Sequence, residues 1–290
     1  MIRLLAAISI LLLSACASDD RHTVTFGFIP GSAIEEIELT ADTLSALISQ
    51  KTGMEVRPFV APDYASLIEA MRTGHVDLAW LAPMSYVDAV NEVGVTPLLT
   101  SVRQGKPYFY SAIFVRDDSG IRSLEDLKGK VIGFADPLST AGRLFPEMEL
   151  RLRGIQPDTW FRQVVFLGGH DKVVNAVFNR TVDAGASFSN DTTNQDNAWK
   201  QFLKDKDGWT QIRPILFSRP IPGDVVGMAT NSPHHQEQTM KLLSQGLMRV
   251  SETDQGKRLI RKINRTDSFA PADNRLFDNV KEAARLVLGH

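Results

Sequence analysis

The sequence predicts an α/β protein built as two lobes with a cleft between them. Three observations carry that prediction. Strand-like and helix-like segments alternate in two blocks, over about residues 23–110 and 117–215. The chain has 290 residues, room for two units of roughly 100–150 residues each. Two proline-rich spots, Arg213-Pro214 and Arg219-Pro220-Ile221-Pro222, read as the chain returning from the second unit to the first. A β-α-β succession implies a parallel sheet with helices on its faces. Two such units crossed twice by the chain fit a ligand binder that closes about a hinge.

The elements follow in order. Residues 24–28 (VTFGF) read as a strand, and residues 34–52 as a helix with Leu39, Leu44, Leu47 and Ile48 at helical spacing and Gly53 as its stop. Residues 54–60 form a second strand, 64–72 a second helix ended before Gly74, and 76–81 a short buried strand. In the second block, 111–116 is a strand and 123–127 a short helix with a Ser123 cap and Asp126 in the capping-box place. Strands at 131–134, 164–167 and 182–186 alternate with helices at 140–153 and 171–179. No sequence repeat links the two blocks. From Ser232 the tail is helical, with Met240, Leu243, Leu247 and Val250 on one face; His234-His235 reads as a solvated pair.

The N-terminus reads as an address. Arg3 precedes an apolar run of ten, residues 4–13, too short for a stable bilayer span and right for a signal-peptide core. Leu13-Ser14-Ala15-Cys16 resembles the lipobox of bacterial lipoproteins, which implies cleavage before Cys16 and lipidation of its thiol. Acyl chains there would hold the protein to a membrane surface of the bacterial cell envelope. The expected organisation is a signal peptide at 1–15, lipidated Cys16 and a tether over 16–22, lobe one from 23–112 plus 217–290, and lobe two from 113–216.

Composition excludes several classes. With 32 basic and 34 acidic residues there is no polycation, so no nucleic-acid partner is expected. One cysteine can make neither an intramolecular disulfide nor a Cys-rich zinc site. An apolar fraction of 43% is incompatible with wholesale disorder. There is no HExxH, no GxxxxGK[ST] and no nucleophile elbow, so nothing points to an enzyme, and no cofactor or metal is expected.

The first site candidate is Asp136-Pro137-Leu138-Ser139-Thr140-Ala141-Gly142, between a strand and a helix. Pro137 disfavours helix in the residue before it, which places Ser139 or Thr140 at the N-cap. A helix start carries unpaired N–H groups and partial positive charge, and two hydroxyls beside it make an anion cradle without a lysine. The same residues also read as a plain cap worth about 1 kcal/mol.

Several segments together resemble the phosphonate-binding proteins of ABC importers. They are Ala61-Pro62-Asp63-Tyr64, Val76-Asp77-Leu78-Ala79-Trp80, Ser123-Leu124-Glu125-Asp126-Leu127-Lys128-Gly129, Asp136-Pro137-Leu138-Ser139-Thr140, Gly169-His170-Asp171 and Thr181-Val182-Asp183-Ala184-Gly185. They lie in the family's order over about residues 23–230. The resemblance implies a type II periplasmic binding-protein fold: two Rossmann-like α/β lobes, a two-strand hinge and ligand in the cleft. It further implies a monomer that captures a phosphorus oxyanion and delivers it to ABC permease subunits. A lipoprotein of the same fold that senses its ligand and signals to a membrane histidine kinase is the alternative.

Carried over residue by residue, the family's Ser-Thr-Ser cradle reads Ser139-Thr140-Ala141, so N–H groups of Ala141 and Gly142 must replace the third hydroxyl. The resemblance implies ligand-facing roles for His170, for Tyr64 and for a tyrosine near the crossing, Tyr108 or Tyr110. Ser85 is placed to offer a second helix start from the opposite lobe. At the far end of the ligand the family sets two carboxylates against an ammonium; Asp224 matches one, and Asn190 stands at the other, with Asp191 one residue away. An amide there removes charge that would offset a desolvated ammonium. A smaller or neutral-tailed oxyanion is therefore expected in place of 2-aminoethylphosphonate: phosphite, methylphosphonate, phosphate or a phosphate ester.

Overall fold

The computed structural model describes residues 23–29, 34–204 and 206–289. The expected signal peptide, Cys16 and tether lie outside these residues. The first lobe opens with β1 (Thr23–Phe28), α1 (Ile34–Thr52), β2 (Glu55–Val60), α2 (Tyr64–Arg72), β3 (Leu78–Leu81), α3 (Pro83–Glu92) and β4 (Val95–Val102). The chain then builds β5 (Tyr108–Arg116), β6 (Val131–Phe134), α4 (Phe145–Arg151), α5 (Pro157–Trp160), β7 (Gln163–Phe166), α6 (His170–Phe178), β8 (Ala184–Ser189), α7 (Ala198–Phe202), α8 (Lys206–Thr210), β9 (Ile212–Phe217) and β10 (Ile221–Pro222). It returns as β11 (Val225–Ala229), α9 (Glu237–Glu252), α10 (Asp254–Asn264), β12 (Ser268–Pro271) and α11 (Asp278–Leu288).

Two sheets result. The first has the order β12-β4-β11-β3-β1-β2 and the second β10-β5-β8-β6-β7, with β9 also on β5. Within them β1, β2 and β3 run parallel, as do β6, β7 and β8. The chain changes sheet between Val102 and Tyr108 and again between Pro222 and Val225. The crossings therefore lie a few residues outside the expected boundaries at 112/113 and 216/217, because β5 and β9 both belong wholly to the second sheet. The two crossing segments are bonded to each other: Ser101 N–H donates to the Asp224 carbonyl and Gly223 N–H to the Pro107 carbonyl, both at 2.8 Å. Gly223 is required there, because a Cβ would collide with the Ser101 carbonyl oxygen.

The two lobes share a local device that no repeat in the sequence reveals. Asp77 N–H donates to the Thr25 carbonyl, and its carboxylate accepts from Thr25 N–H at 2.9 Å. Asp183 does the same in the second lobe, with Val131 N–H donating to its carboxylate at 2.8 Å. Each aspartate thus ties the start of a third parallel strand to the first. Asp77 also accepts from the Ser232 hydroxyl at 2.6 Å.

Packing departs from the expected pattern in places. The buried stripe of α1 is Ile37, Ala41, Leu44 and Ile48, one face of a 3.6-residue period. Leu39 lies two residues from Ile37, on the opposite side, and is 72% exposed. His234 is buried, not solvated, with Nε2 3.0 Å from the Thr23 carbonyl. On α9, Leu243, Leu247 and Val250 do face the core.

The helix expected over residues 140–153 opens instead with a π turn, Thr140–Leu144, before α4. Leu144 N–H reaches Ser139 O at 3.0 Å and Phe145 N–H reaches Thr140 O, both five residues back. Pro146 has no N–H to offer the preceding turn. The carbonyls it leaves over find other donors: Ala141 O accepts from the Ser111 hydroxyl at 2.6 Å, and Gly142 O from Ala135 N–H at 3.1 Å. The wide turn is thereby pinned to β5 and to the end of β6. One apolar cluster then joins the lobes, with Met84 and Val87 of α3, Phe145 and Met148 of α4, and Val280 and Ala284 of α11.

Candidate functional site

A cleft with a cavity volume of about 90 Å³ lies between the lobes. At roughly 10–15 Å³ per water-sized probe, that is space for a small molecule of a handful of heavy atoms. Its walls are the residues following the C-terminal ends of the parallel strands: Ile29 after β1, Tyr64 beyond β2, Ala82 after β3, Ser139 and Thr140 beyond β6, His170 beyond β7 and Asn190 after β8. Ligands of open α/β sheets bind at this edge.

The Ser139-Thr140 turn is preorganised. Asp136 accepts Leu138 N–H at 2.8 Å, and Ser139 N–H closes the turn onto the Asp136 carbonyl at 3.0 Å. Ser139 is the N-cap, accepting from Gly142 N–H at 3.0 Å. Thr140 accepts from Met84 N–H of α3 at 2.9 Å. Each oxygen is thus an acceptor within the protein, and each hydroxyl keeps its O–H as a donor, that of Ser139 with Tyr64 and His170 beside it. Gly142 N–H, expected to face the ligand, is engaged by Ser139, and Gly142 does not line the cleft. Ala141 does line it, in the first turn where N–H groups lack intrahelical partners.

His170 opens α6, its Nδ1 2.8 Å from the Ser187 hydroxyl and its Nε2 3.4 Å from that of Ser139. Desolvation pulls its pKa down to about 4, so the free protein holds a neutral imidazole. Near pH 7 the neutral form is therefore the one populated. A Ser187 O–H donated to Nδ1 leaves Nε2–H facing the cleft. Tyr64 is presented at the start of α2 by Asp63, whose carboxylate accepts Ser66 N–H at 2.7 Å. Burial raises the pKa of its phenol, with the Ser139 side chain acting against that rise, so the phenol stays neutral.

The remaining expected residues are placed as follows. Ser85 is fully buried with no hydrogen-bond partner for its hydroxyl, and it does not line the cleft. The start of α3 has Ala82 as a cap without a side-chain acceptor, and Thr140 fills that role from the other lobe. Tyr108 and Tyr110 stack edge-on at 6.0 Å and do not line the cleft; Phe109 between them does. Alternation along β5 sends 109 to the opposite face from 108 and 110. Asn190 and Asp224 both line the far end. Asp191 does not serve there: its carboxylate accepts Thr193, Gln195 and Asp196 N–H groups within its own loop.

Sequence reasoning missed Arg103. It sits on the first crossing, held by a tight turn in which Arg103 and Lys106 exchange backbone bonds at 2.9 Å, with Gln104 and Gly105 at positive φ. Its guanidinium is buried, pairs with Asp224 of the second crossing, and lies 4.6 Å from the Phe109 ring centroid. Asn264 also donates to Asp224 at 3.0 Å. The carboxylate expected to meet a ligand cation is therefore neutralised from within the chain. A Gly after Gln104 marks the turn, but nothing local marks Arg103 as buried.

Fold and cleft together define a two-lobed solute-binding protein whose cleft is lined by the hydroxyls of Ser139 and Thr140. Residues 26–277 match the family model for the ABC transporter, phosphonate, periplasmic substrate-binding protein, and the chain belongs to that family. It is similar to the phosphate-import protein PhnD of Mycolicibacterium smegmatis, 34% identical over 203 residues, which span 63% of this chain and 63% of that relative's length. It is also similar to the phosphonates-binding periplasmic protein of Escherichia coli, 28% identical over 275 residues, 93% of this chain and 78% of the relative. PhnD1 of Prochlorococcus marinus, solved in complex with methylphosphonate, shares the fold at a TM-score of 0.77 and 21% identity, covering 91% of this chain and 98% of its own.

Proposed function

We propose that this protein is the substrate-binding lipoprotein of an ABC importer, and that it captures a phosphorus oxyanion: phosphite, a phosphonate, phosphate or a phosphate ester. The observation that carries this reading is the pair of hydroxyls at Ser139 and Thr140. Each accepts a backbone N–H, lines the cleft and keeps its own O–H as a donor. The oxyanion docks on these two donors and the start of the π turn, with Tyr64 and His170 completing a ring of uncharged donors. Charge on the ligand is met by N–H dipoles in a water-poor site, where hydrogen bonds to an anion are strong. Closure of the lobes brings α3 onto Thr140, and the permease reads the closed form.

Anchoring through Cys16, at the envelope face where family members work, is part of the same proposal. The lipobox-like Leu13-Ser14-Ala15-Cys16 supports it. Among the described residues no helix is long and apolar enough to cross a membrane. Mass spectrometry of the protein from membranes tests it: an N-terminus at unmodified Met1 would rule the anchor out.

Calorimetry tests the main reading. The full-length chain in detergent is titrated with phosphite, methylphosphonate, phosphate and 2-aminoethylphosphonate. Heat from at least one of the first three is expected, with none from the Ser139→Ala, Thr140→Ala double variant. Silence with every phosphorus oxyanion would sink the reading. Unchanged affinity in the double variant would reduce the hydroxyl pair to a helix cap.

A further inference from the structure

The far end of the cleft carries buried polar atoms that the fold leaves without partners. Arg103 is 3% exposed; its Nη2 is saturated by Asp224 and by the Asn264 carbonyl and side-chain oxygens, while its Nη1 has no partner in the protein. Asn190 is 2% exposed, and neither its Nδ2 nor its Oδ1 has a partner. Gln201 Oε1 is likewise buried and unpaired. All three residues line the same cleft as Ser139 and Thr140.

The unpaired set contains donors and acceptors together: Arg103 Nη1 and Asn190 Nδ2 on one side, Asn190 Oδ1 and Gln201 Oε1 on the other. That remains true whichever way the Asn190 amide is turned. The charges at this end already cancel within the protein, Arg103 against Asp224 and Arg265 against Asp196. Among the described residues lining the cleft, Asp224 is the sole carboxylate. An ammonium tail would meet a guanidinium with no free carboxylate to offset it. A carboxylate tail would set acceptor against acceptor at Asn190 Oδ1 and Gln201 Oε1. An alkyl tail would bury all four polar atoms unpaired.

We infer that this end of the cleft selects a neutral tail that both accepts and donates hydrogen bonds, a hydroxyl or carboxamide carried by the phosphonate or phosphate ester. Arg103, Asn190 and Gln201 are its specificity residues. A tail hydroxyl accepts from Arg103 Nη1 or Asn190 Nδ2 and donates to Asn190 Oδ1 or Gln201 Oε1. The inference rests on the phosphorus-oxyanion reading above and narrows it. A site built to pair a polar group discriminates strongly against an analogue that lacks it.

The test is a competition series on the full-length chain with four two-carbon phosphonates: 2-hydroxyethylphosphonate, ethylphosphonate, 2-aminoethylphosphonate and phosphonoacetate. Methylphosphonate and phosphate report on the oxyanion site alone. The hydroxyl ligand is expected to bind at least about tenfold tighter than the other three. Asn190→Asp removes one donor and adds charge, and should move preference toward 2-aminoethylphosphonate. If ethylphosphonate or 2-aminoethylphosphonate matches or exceeds the hydroxyl ligand while methylphosphonate or phosphate binds, the tail inference is overturned and the oxyanion reading stands. If none of the six binds, both fall. The wild-type series decides the matter even if the variant does not fold.

Discussion

The hydroxyl of Thr140, in the second lobe, accepts the backbone N–H of Met84, in the first, at 2.9 Å. This single bond caps α3, whose own cap residue Ala82 cannot, and leaves Thr140 its O–H as a donor for the proposed site. In the proposed function this one oxygen links the oxyanion site to lobe closure. Thr140→Val keeps the branched shape and removes that oxygen. It leaves Met84 N–H buried without a partner, at a cost of about 1–3 kcal/mol to the closed form. Oxyanion affinity should fall by roughly 5- to 150-fold, and X-ray scattering should show a more open particle. Thr140→Ser should keep both properties; a Thr140→Val variant with wild-type affinity would break the coupling.

Gly142 lies under the cradle without room for a side chain. A Cβ there would sit 2.5 Å from Ala135 Cβ, 2.8 Å from Ser139 Oγ and 3.0 Å from His170 Cε1. Gly142→Ala should destabilise the protein by about 1–3 kcal/mol in urea denaturation. Binding should weaken as well, because Ser139 and His170 are the atoms displaced. A stable variant with full affinity would show that the turn has slack.

The neutral state of His170 has a pH signature. Desolvation sets its folded pKa near 4, below the ordinary value of 6.5. Between these limits the unfolded chain binds the extra proton, so stability rises with pH. The contribution is fully present above about pH 6.5 and is lost as pH falls toward 4. Denaturation of the free protein at pH 7 and pH 4.5, compared with His170→Gln, should show a smaller acid loss in the variant. An NMR titration placing His170 near 6.5 would contradict the assignment.

Arg103 and Asp224 tie the two crossings together, both nearly excluded from solvent. Removing one partner leaves a buried uncompensated charge and should cost about 3–5 kcal/mol. Asp224→Asn and Arg103→Met should each lower the urea midpoint, and the double variant should lose much less than their sum. Strict additivity would mean the pair is not coupled.

The paired aspartates give a prediction in each lobe. Asp77→Ala and Asp183→Ala each leave a backbone N–H of a first strand, Thr25 or Val131, without its acceptor, and each should cost about 1–3 kcal/mol. Asp77→Ala should be the worse, since Ser232 also loses its acceptor. Equal, negligible effects would show that water replaces both carboxylates freely.

The sequence by itself determined the α/β alternation, the return of the chain to the first lobe and the pair of hydroxyls at Ser139 and Thr140. These depend on local chemistry: periodicity, turn formers such as Pro137, and a Ser139 that caps the helix it precedes. Set beside the family it resembles, it also exposed Asn190 at a position where that family carries a carboxylate. Strands with weaker local signals, β4, β11 and β12, became strands by finding partners in a sheet. Which face of β5 meets the cleft, and hence Phe109 in place of Tyr108 or Tyr110, depended on a register set by β8. The capping of α3 by Thr140 joins residues 56 positions apart, and the neutralising of Asp224 by Arg103 joins residues 121 apart. No local pattern encodes such pairs, because burial and partner are properties of the closed fold. Tertiary structure therefore decided how the far end of the cleft is charged, while the sequence had already placed the hydroxyls at the near end.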